Sequence, residues 1–265
     1  MGFDPEYVAA RRVLLRALDA LGEHRKASVL VGAQAIYLRV GEGDLAVPPH
    51  TTDADVAIDP RRLDDKPELE SVLRGAGFEL SVSPGTWTFA SVQVDFLVPA
   101  ALGGPGRRGA RLGPHGDRVA RKATGLEAAV VDNSVLRIGA LDLDDSRAFD
   151  LAVAGLAALL VAKLHKIGER RHDDHRLNDK DALDVLRILR DGASGELVST
   201  LTRLETDPIS GAVTRDAREL LVELFGERTS IGAVMAARSS AGLIDEEQIA
   251  ISCEVLSREL LNRWR

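Results

Sequence analysis

Hydrophobic residues recur at two spacings along the chain, and the pattern changes near residue 155. Before that point, the spacing predicts helices at 5–22 and at 67–78, and a glycine ends the second of them. Between the helices lie short stretches that are either apolar throughout or apolar at every second residue. These stretches predict strands at 28–32, 53–59, 86–90, 91–98, 135–141 and 149–154. From Gly155 onward the pattern is helical, with breaks near 172–178, 191–195, 206–211 and 239–243.

This order of elements predicts an α/β (α+β) fold with a mixed sheet, followed by a helical C-terminal region. We place the α/β domain at residues 1–154 and the helical domain at 155–265. The sequence does not define this boundary sharply, because the helix that begins at Gly155 could also pack on the sheet and complete the first domain. Residues 99–125 are rich in Gly, Arg and Pro, and are expected to form a loop or a mobile segment.

The composition indicates a globular protein, with 45% hydrophobic and 28% charged residues. A net charge of -7 does not favour nucleic-acid binding by the whole surface, so any such contact needs a local basic patch. The single cysteine, Cys253, excludes a disulfide within the chain and fits a reducing compartment. The N-terminus lacks the apolar region of a signal peptide, and the longest apolar run, 151–162, is too short to span a membrane. We therefore expect a cytoplasmic protein without membrane contact.

The strongest chemical signal is a pair of aspartates, Asp53 and Asp55, on one predicted strand, with Asp95 on a later strand. Residues two apart on a strand face the same side, and two carboxylates that close repel unless a cation lies between them. Asp95 interrupts the apolar run 92–98, where a carboxylate needs a hydrogen bond, a paired charge or a metal. Three such groups suit two Mg²⁺ ions about 3.5–4 Å apart. Alternatively, the Asp-x-Asp pair arises by chance and Asp53 caps the preceding loop.

The helix that begins at Gly155 carries Lys163 within its apolar stripe, and Arg170 lies close to that stripe. A lysine on the buried face of a helix is unusual. Its side chain either extends to an edge and keeps its charge in water, or points into a site and binds phosphate. Spacing alone leaves both interpretations open.

Three stretches, VLVGAQAIYL, HTTDADVAI and VQVDFLVP, resemble the nucleotidyltransferase superfamily of the DNA polymerase β type, and most closely its AbiEii or MenT-like toxin branch. The resemblance covers roughly 28–98, with a second piece at 156–189. It implies a nucleotidyltransferase-type domain that transfers a nucleoside monophosphate from an NTP to a hydroxyl group, with Mg²⁺ as cofactor. It further implies an RNA end, such as that of tRNA, as acceptor, and an antitoxin protein as partner in a toxin–antitoxin pair.

The resemblance also assigns roles to individual residues. Asp53 and Asp55 would bind both metal ions, and Asp95 would bind the catalytic ion and help to deprotonate the acceptor. The catalytic set that it implies is Asp53, Asp55, Asp95, Lys163, Asp181 and Asp184. The nucleotide-binding set that it implies is Gly32, Ala33, Gln34, Thr52 (or Thr51), Lys163, Arg170 and Lys180.

One position departs from the family pattern, which usually has Gly-Ser or Gly-Gly at the first turn. Here the turn is Gly32-Ala33-Gln34, and Ala33 has no hydroxyl group to contact phosphate. Backbone N–H groups at the start of the helix, or Gln34, would have to take that role.

Ala33 therefore favours an alternative, in which the chain is a catalytically degenerate module that binds a nucleotide, RNA or a protein. A metal-dependent glycosyltransferase also uses Asp-x-Asp, but usually places a longer nucleotide-binding sheet before that motif.

Two polar segments are weaker candidates. Residues 106–122 hold six Arg or Lys residues and one acid, so they either contact RNA or nucleotide phosphates or form a solvated loop. They contain no aromatic residue on which a base could stack. The His-Asp-Asp-His run at 172–175 is expected to be a polar linker, because its ligands have no fixed helical or strand spacing.

Overall fold

The structure, a computed structural model, describes residues 3–41, 49–173, 178–191 and 195–264. Its first part contains three α-helices: α1 (Pro5–Leu21), α2 (Gly32–Val40) and α3 (Leu69–Gly75). The strands are β1 (Ser28–Val31), β2 (Asp53–Ile58), β3 (Glu79–Leu80), β4 (Thr86–Phe89), β5 (Val92–Pro99), β6 (Arg121–Ala123), β7 (Asn133–Gly139) and β8 (Ala148–Ala154). The later helices are α4 (Leu156–Arg170), α5 (Asp179–Asp191), α6 (Gly195–Thr206), α7 (Gly211–Phe225), α8 (Ile231–Ser239) and α9 (Glu246–Arg263).

The strands form one mixed sheet in the order β3-β4-β5-β2-β1-β8-β7, and β6 pairs with β5. The pairs β2–β5, β1–β8 and β5–β6 are parallel. The pairs β1–β2, β3–β4, β4–β5 and β7–β8 are antiparallel. The predicted α/β fold with a mixed sheet and helices in the C-terminal region is confirmed.

The alternating sequences of β2 and β5 give the centre of the sheet two chemically different faces. The buried residues Ala54, Val56, Val94 and Phe96 point to one side, and helix α1 packs against these two strands. The intervening positions, which include the three aspartates, point to the other side. The local pattern thus separates an apolar face from an acidic one.

Helix α4 lies at the centre of the helical region and packs against α2, α5, α6 and α7. Buried hydrophobic residues of the sheet and of the C-terminal helices belong to one continuous core. The division of the chain at residues 154 and 155 stays a prediction. No helix in the described part of the chain is long and apolar enough to cross a membrane.

Three element predictions need correction. Residues 99–125 form a loop over most of their length, as one of the two alternatives predicted, but this loop is packed and not the mobile segment of the other alternative, because Ala110, Leu112 and Ala120 are buried and strand β6 lies near its end. The helix predicted at 67–78 is confined to α3. Helices α7 and α8 are separate, whereas the sequence pattern gave no break between them. Residues 174–177 and 192–194, within two predicted breaks, lie outside the described residues.

Candidate active site

The three aspartates lie at the centre of the sheet. Strands β2 and β5 are parallel, and Asp55 is the direct register partner of Asp95, while Asp53 is opposite Gln93. Backbone hydrogen bonds hold neighbouring strands about 4.8 Å apart, and register partners face the same side. Asp53 precedes Asp55 by two residues and shares this side. The structure therefore brings together the carboxylates that the sequence singled out.

Two of these carboxylates have a hydrogen-bond donor of their own. The Thr51 hydroxyl donates to Asp53 Oδ1 over 2.7 Å, and Arg121 Nη2 donates to Asp95 Oδ2 over 2.7 Å. The second oxygen of Asp95, Oδ1, is buried and has no hydrogen-bond partner among the described residues. A buried oxygen without a partner is costly, and a cation or a hydrogen-bond donor at this atom would remove that cost.

Gly32, at the start of α2, makes room for the third carboxylate. Its φ is +70°, and a Cβ placed there would lie 2.1 Å from Asp55 Oδ2. Burial raises the pKa of Asp55 to about 6; the charges of Asp53 and Asp95 add to this rise and that of Lys166 opposes it. The site thus concentrates negative charge where water is partly excluded, which favours a cation.

These residues line a cleft of about 230 Å³ between the sheet and helix α4, named here the carboxylate cleft. Asp53, Asp55 and Asp95 form its sheet side. Across from them, α4 contributes three basic residues, Lys163, Lys166 and Arg170. Acidic groups that could bind cations therefore face basic groups that could bind phosphate across one cavity.

Lys163 is buried between two carboxylates of α5. Its Nζ lies 2.6 Å from Asp181 Oδ1 and 2.9 Å from Asp184 Oδ2. Burial alone would lower the pKa of Lys163, but the two aspartates outweigh it and raise that pKa above its ordinary value. The same attraction overcomes burial and lowers the pKa of Asp181. The predicted residues Lys163, Asp181 and Asp184 thus form one buried triad that joins α4 to α5.

Lys166 is a cleft residue that the sequence reasoning missed. Its Nζ donates to Asp181 Oδ1 over 3.0 Å, and Arg170 Nη1 lies 3.8 Å from Asp181 Oδ2. Lys163, Lys166 and Arg170 are spaced three and four residues apart, which places them on one face of a helix. That spacing was available in the sequence as a signal. Arg121, by contrast, lay in a predicted loop that offered no such signal.

Four of the predicted nucleotide-binding residues, Ala33, Gln34, Thr52 and Lys180, do not line the carboxylate cleft. Gln34 is buried, donates from Nε2 to the Asp53 carbonyl over 3.0 Å and accepts a bond from Arg11 Nε over 2.8 Å. It therefore ties α1 to β2, and both ends of its amide group are occupied. Thr52 and Lys180 are exposed to solvent and lie outside the cleft lining.

At the turn before α2, the cleft lining includes Gly32 but not Ala33. Thr51 instead of Thr52 is the threonine that contacts an aspartate of the cleft.

A second acidic group lies on the surface, around His50. Among the described residues, Asp4, Glu6 and His50 are the three whose ligand atoms fall within 4.8 Å of one another. The two ring nitrogens of His50 face different carboxylates, each 3.4 Å away, as in an ordinary surface ion pair. The three aspartates of the cleft are less closely gathered than this group, and Asp53 and Asp95 are each bonded to another side chain.

Comparison of the chain with protein-family models, with curated proteins and with solved structures finds no match in any of the three. A functional assignment therefore rests on the chemistry of the carboxylate cleft and on the sequence resemblance.

Proposed function

We propose that the protein is a Mg²⁺-dependent nucleotidyltransferase that transfers a nucleoside monophosphate from an NTP to a hydroxyl acceptor and releases pyrophosphate. The observation that carries this proposal is the register pairing of Asp55 with Asp95, with Asp53 on the same face. Opposite them, helix α4 presents Lys166 and Arg170 across the same cleft. Carboxylates that face basic side chains across one cleft suit a reaction that handles metal-bound polyphosphate.

The residues present fit Mg²⁺. Carboxylate oxygens are the ligands that this hard cation prefers, and the buried Oδ1 of Asp95 lacks another partner among the described residues. Asp53, Asp55 and Asp95 would hold two Mg²⁺ ions, which when bound supply positive charge to the acceptor oxygen and to the triphosphate.

The basic residues of α4 have different tasks in this proposal. The charge of Lys163 is already compensated by Asp181 and Asp184, so Lys163 is a positioning residue that fixes α4 against α5. Lys166 and Arg170 are partly exposed and would bind the phosphates of the leaving pyrophosphate. Asp181 accepts hydrogen bonds from both lysines and thereby orients Lys166.

The sequence resemblance supplies the remaining parts of the proposal. It supports an RNA end, such as that of tRNA, as acceptor, and an antitoxin protein as partner. We also propose a cytoplasmic setting, which suits the use of NTPs and the single buried cysteine, Cys253.

A binding module without turnover is the second candidate, and two observations favour it. Ala33 stands where the family has a hydroxyl or glycine, and Arg121 already neutralises Asp95. In this case the cleft would bind a nucleotide without reaction.

The test is incubation of the purified protein with Mg²⁺, each labelled NTP and total RNA. We expect label to enter RNA, and Asp55→Asn to abolish this incorporation while Asp150→Asn, at an exposed position of β8, retains it. An NTP that binds without any transfer of label would favour the binding module and contradict the proposed reaction. Hydrolysis of a sugar nucleotide in place of an NTP would favour the glycosyltransferase.

A further inference from the structure

A second, larger cleft of about 510 Å³ adjoins the carboxylate cleft and is named here the basic cleft. Five basic residues line it: Arg107, Arg108, Arg121, Lys122 and Arg170. Two acidic residues, Asp95 and Glu169, also line it. The two clefts share Asp95, Arg121 and Arg170, so they are continuous. A basic cavity on a chain of net charge -7 is a local concentration of charge that suits a polyanion.

The floor of the basic cleft is built into the edge of β5. Strand β4 pairs with the first half of β5, β6 pairs with the second half, and the cleft opens where one replaces the other, beside Asp95. Gly85 passes through this junction with a φ of +80°, and its carbonyl accepts a 2.7 Å bond from Phe96 N. A Cβ at Gly85 would lie 2.6 Å from Arg121 N, so the chain is tightly packed there.

The loop that precedes β6 forms the wall with the most accessible charge. Lys122 fixes this loop, because its Nζ donates to the carbonyls of Gly104 and Gly106 and its backbone N–H donates to the Arg108 carbonyl over 2.8 Å. Arg107 and Arg108 are exposed, and neither forms an ion pair within the described part of the chain. Their guanidinium groups are therefore available to a ligand.

The lining of the basic cleft favours the phosphates of a nucleic acid over its bases. No aromatic side chain of the described residues lines it, so these residues offer no platform for base stacking. Arginine, in contrast, binds phosphate oxygens with two parallel hydrogen bonds. Such contacts depend on the charge of the backbone and are independent of base sequence.

The position of the basic cleft relative to the carboxylates indicates which substrate occupies it. In phosphoryl transfer the attacking and leaving oxygens lie roughly in line on opposite sides of the phosphorus atom. Lys166 lines the carboxylate cleft but not the basic cleft, Arg107 and Arg108 line the basic cleft but not the carboxylate cleft, and Arg170 lines both. A leaving pyrophosphate held by Lys166, with Arg170 at the junction, would therefore place the attacking hydroxyl on the side of the basic cleft.

We propose that the basic cleft binds the phosphate backbone of a single-stranded nucleic acid whose end is the acceptor, with Arg107 and Arg108 as its principal contacts. Only the role of the bound end as the acceptor rests on the proposed function. The binding itself requires neither Mg²⁺ nor turnover, because the cations that carry it belong to the protein.

The experiment measures fluorescence anisotropy of a labelled single-stranded RNA in EDTA, without NTP, over a range of salt concentrations. The charge-reversed variant Arg107→Glu/Arg108→Glu is compared with Arg137→Glu/Arg228→Glu, which changes the net charge equally at exposed positions elsewhere. We expect the first variant to lose about tenfold or more in affinity, and the slope of log K against log salt to fall by about 1.4 in magnitude for two lost phosphate contacts. The control should keep the wild-type affinity and slope.

Binding of a fluorescent NTP with Mg²⁺ shows whether the basic cleft binds the phosphates of RNA or those of an NTP. The proposal expects Arg107→Glu/Arg108→Glu to bind this NTP as the wild type does. Loss of NTP binding with RNA binding intact would assign the basic cleft to the triphosphate and overturn the proposal. Equal RNA affinity in wild type and variant would overturn it as well, and Arg107→Ala/Arg108→Ala repeats the test without introduced acids.

The experiments can reject the RNA-binding role of the basic cleft and the proposed transferase activity independently of each other. RNA binding that depends on Arg107 and Arg108, in a protein that incorporates no label, would retain the basic cleft and reject the transferase. Incorporation of label that survives loss of both arginines would retain the transferase and reject the basic cleft.

Discussion

The absence of a side chain at Gly32 leaves the space that the carboxylate of Asp55 fills. The carboxylate of Asp55 occupies the volume that a Cβ at residue 32 would need. The same glycine has a positive φ, which begins α2 directly after β1. A single residue thus satisfies both a backbone requirement and a spatial requirement of the carboxylate cleft.

We predict that Gly32→Ala is more damaging than Gly41→Ala, at the other end of α2. Both glycines have a positive φ, so each substitution should cost about 1–3 kcal/mol of stability from backbone strain. An added Cβ at Gly41 meets nothing within 4 Å among the described residues, whereas at Gly32 it overlaps Asp55. Gly32→Ala should therefore lose additional stability and also the stabilisation of the fold by Mg²⁺. Denaturant unfolding with and without Mg²⁺ measures both effects, and equal losses in the two variants would contradict the assigned contact.

The triad of Lys163, Asp181 and Asp184 acts at the scale of elements, because it joins two helices through buried charges. We predict that Lys163→Met destabilises the fold by about 3–5 kcal/mol at neutral pH, since it removes the buried cation that lies between the carboxylates of Asp181 and Asp184, and Lys166 still contacts only the first of them. Lys180→Met, at an exposed position of α5, should change stability by less than about 0.5 kcal/mol. Urea unfolding of both variants measures the difference.

The loss of stability in Lys163→Met should depend on pH in a definite direction. In the wild type the pKa of Asp181 is lowered, so its contribution is present above the unfolded pKa of about 3.9 and is lost as pH falls through the folded pKa. Without Lys163, we expect burial to outweigh the remaining attraction of Lys166 and to raise the pKa of Asp181, so the folded state gains from protonation. The deficit of Lys163→Met should thus be smaller at pH 5 than at pH 8. A deficit that does not change with pH would show that lost packing is its cause.

Most elements of the α/β part were visible in the sequence because local periodicity determines them. The strand residues of β1, β2, β5 and β8 are apolar or alternating over their own length, and Gly32 and Gly41 delimit α2. The packed order of residues 99–125 was not visible, since it depends on backbone bonds such as Lys122 N to Arg108 O and on buried contacts made elsewhere in the fold.

The candidate site was predictable where residue type alone carries the chemistry. Asp53, Asp55 and Asp95 stood out because carboxylates in apolar strands are unusual. The roles of Gln34 and Arg121 could not be derived, because each depends on a partner distant in sequence, Arg11 for one and Asp95 for the other. Pairing across a sheet or between helices is a property of the tertiary fold, and no local pattern records it.

At the scale of the whole molecule, the continuous core predicts cooperative unfolding. The protein has two tryptophans, Trp87 on β4 and Trp264 after α9, and both are fully buried. We expect Trp87→Phe and Trp264→Phe, each with one remaining tryptophan, to show coincident loss of fluorescence and of helical signal in denaturant. In either variant, separate fluorescence and helical transitions would instead support independent units divided near residues 154 and 155.

The pairing of β2 with β5 determines where insertions and deletions can occur during evolution without loss of the site. The separation of Asp55 and Asp95 is set by a backbone ladder, so a loop between β2 and β5 that lies outside α3, β3, β4 and the Gly85 junction can gain or lose residues without altering it. A slip of β5 by a single position, however, would replace Asp95 with Val94 or Phe96 beside Asp55. Insertions in such a loop are thus tolerable to the chemistry, while insertions within β2 or β5 remove it.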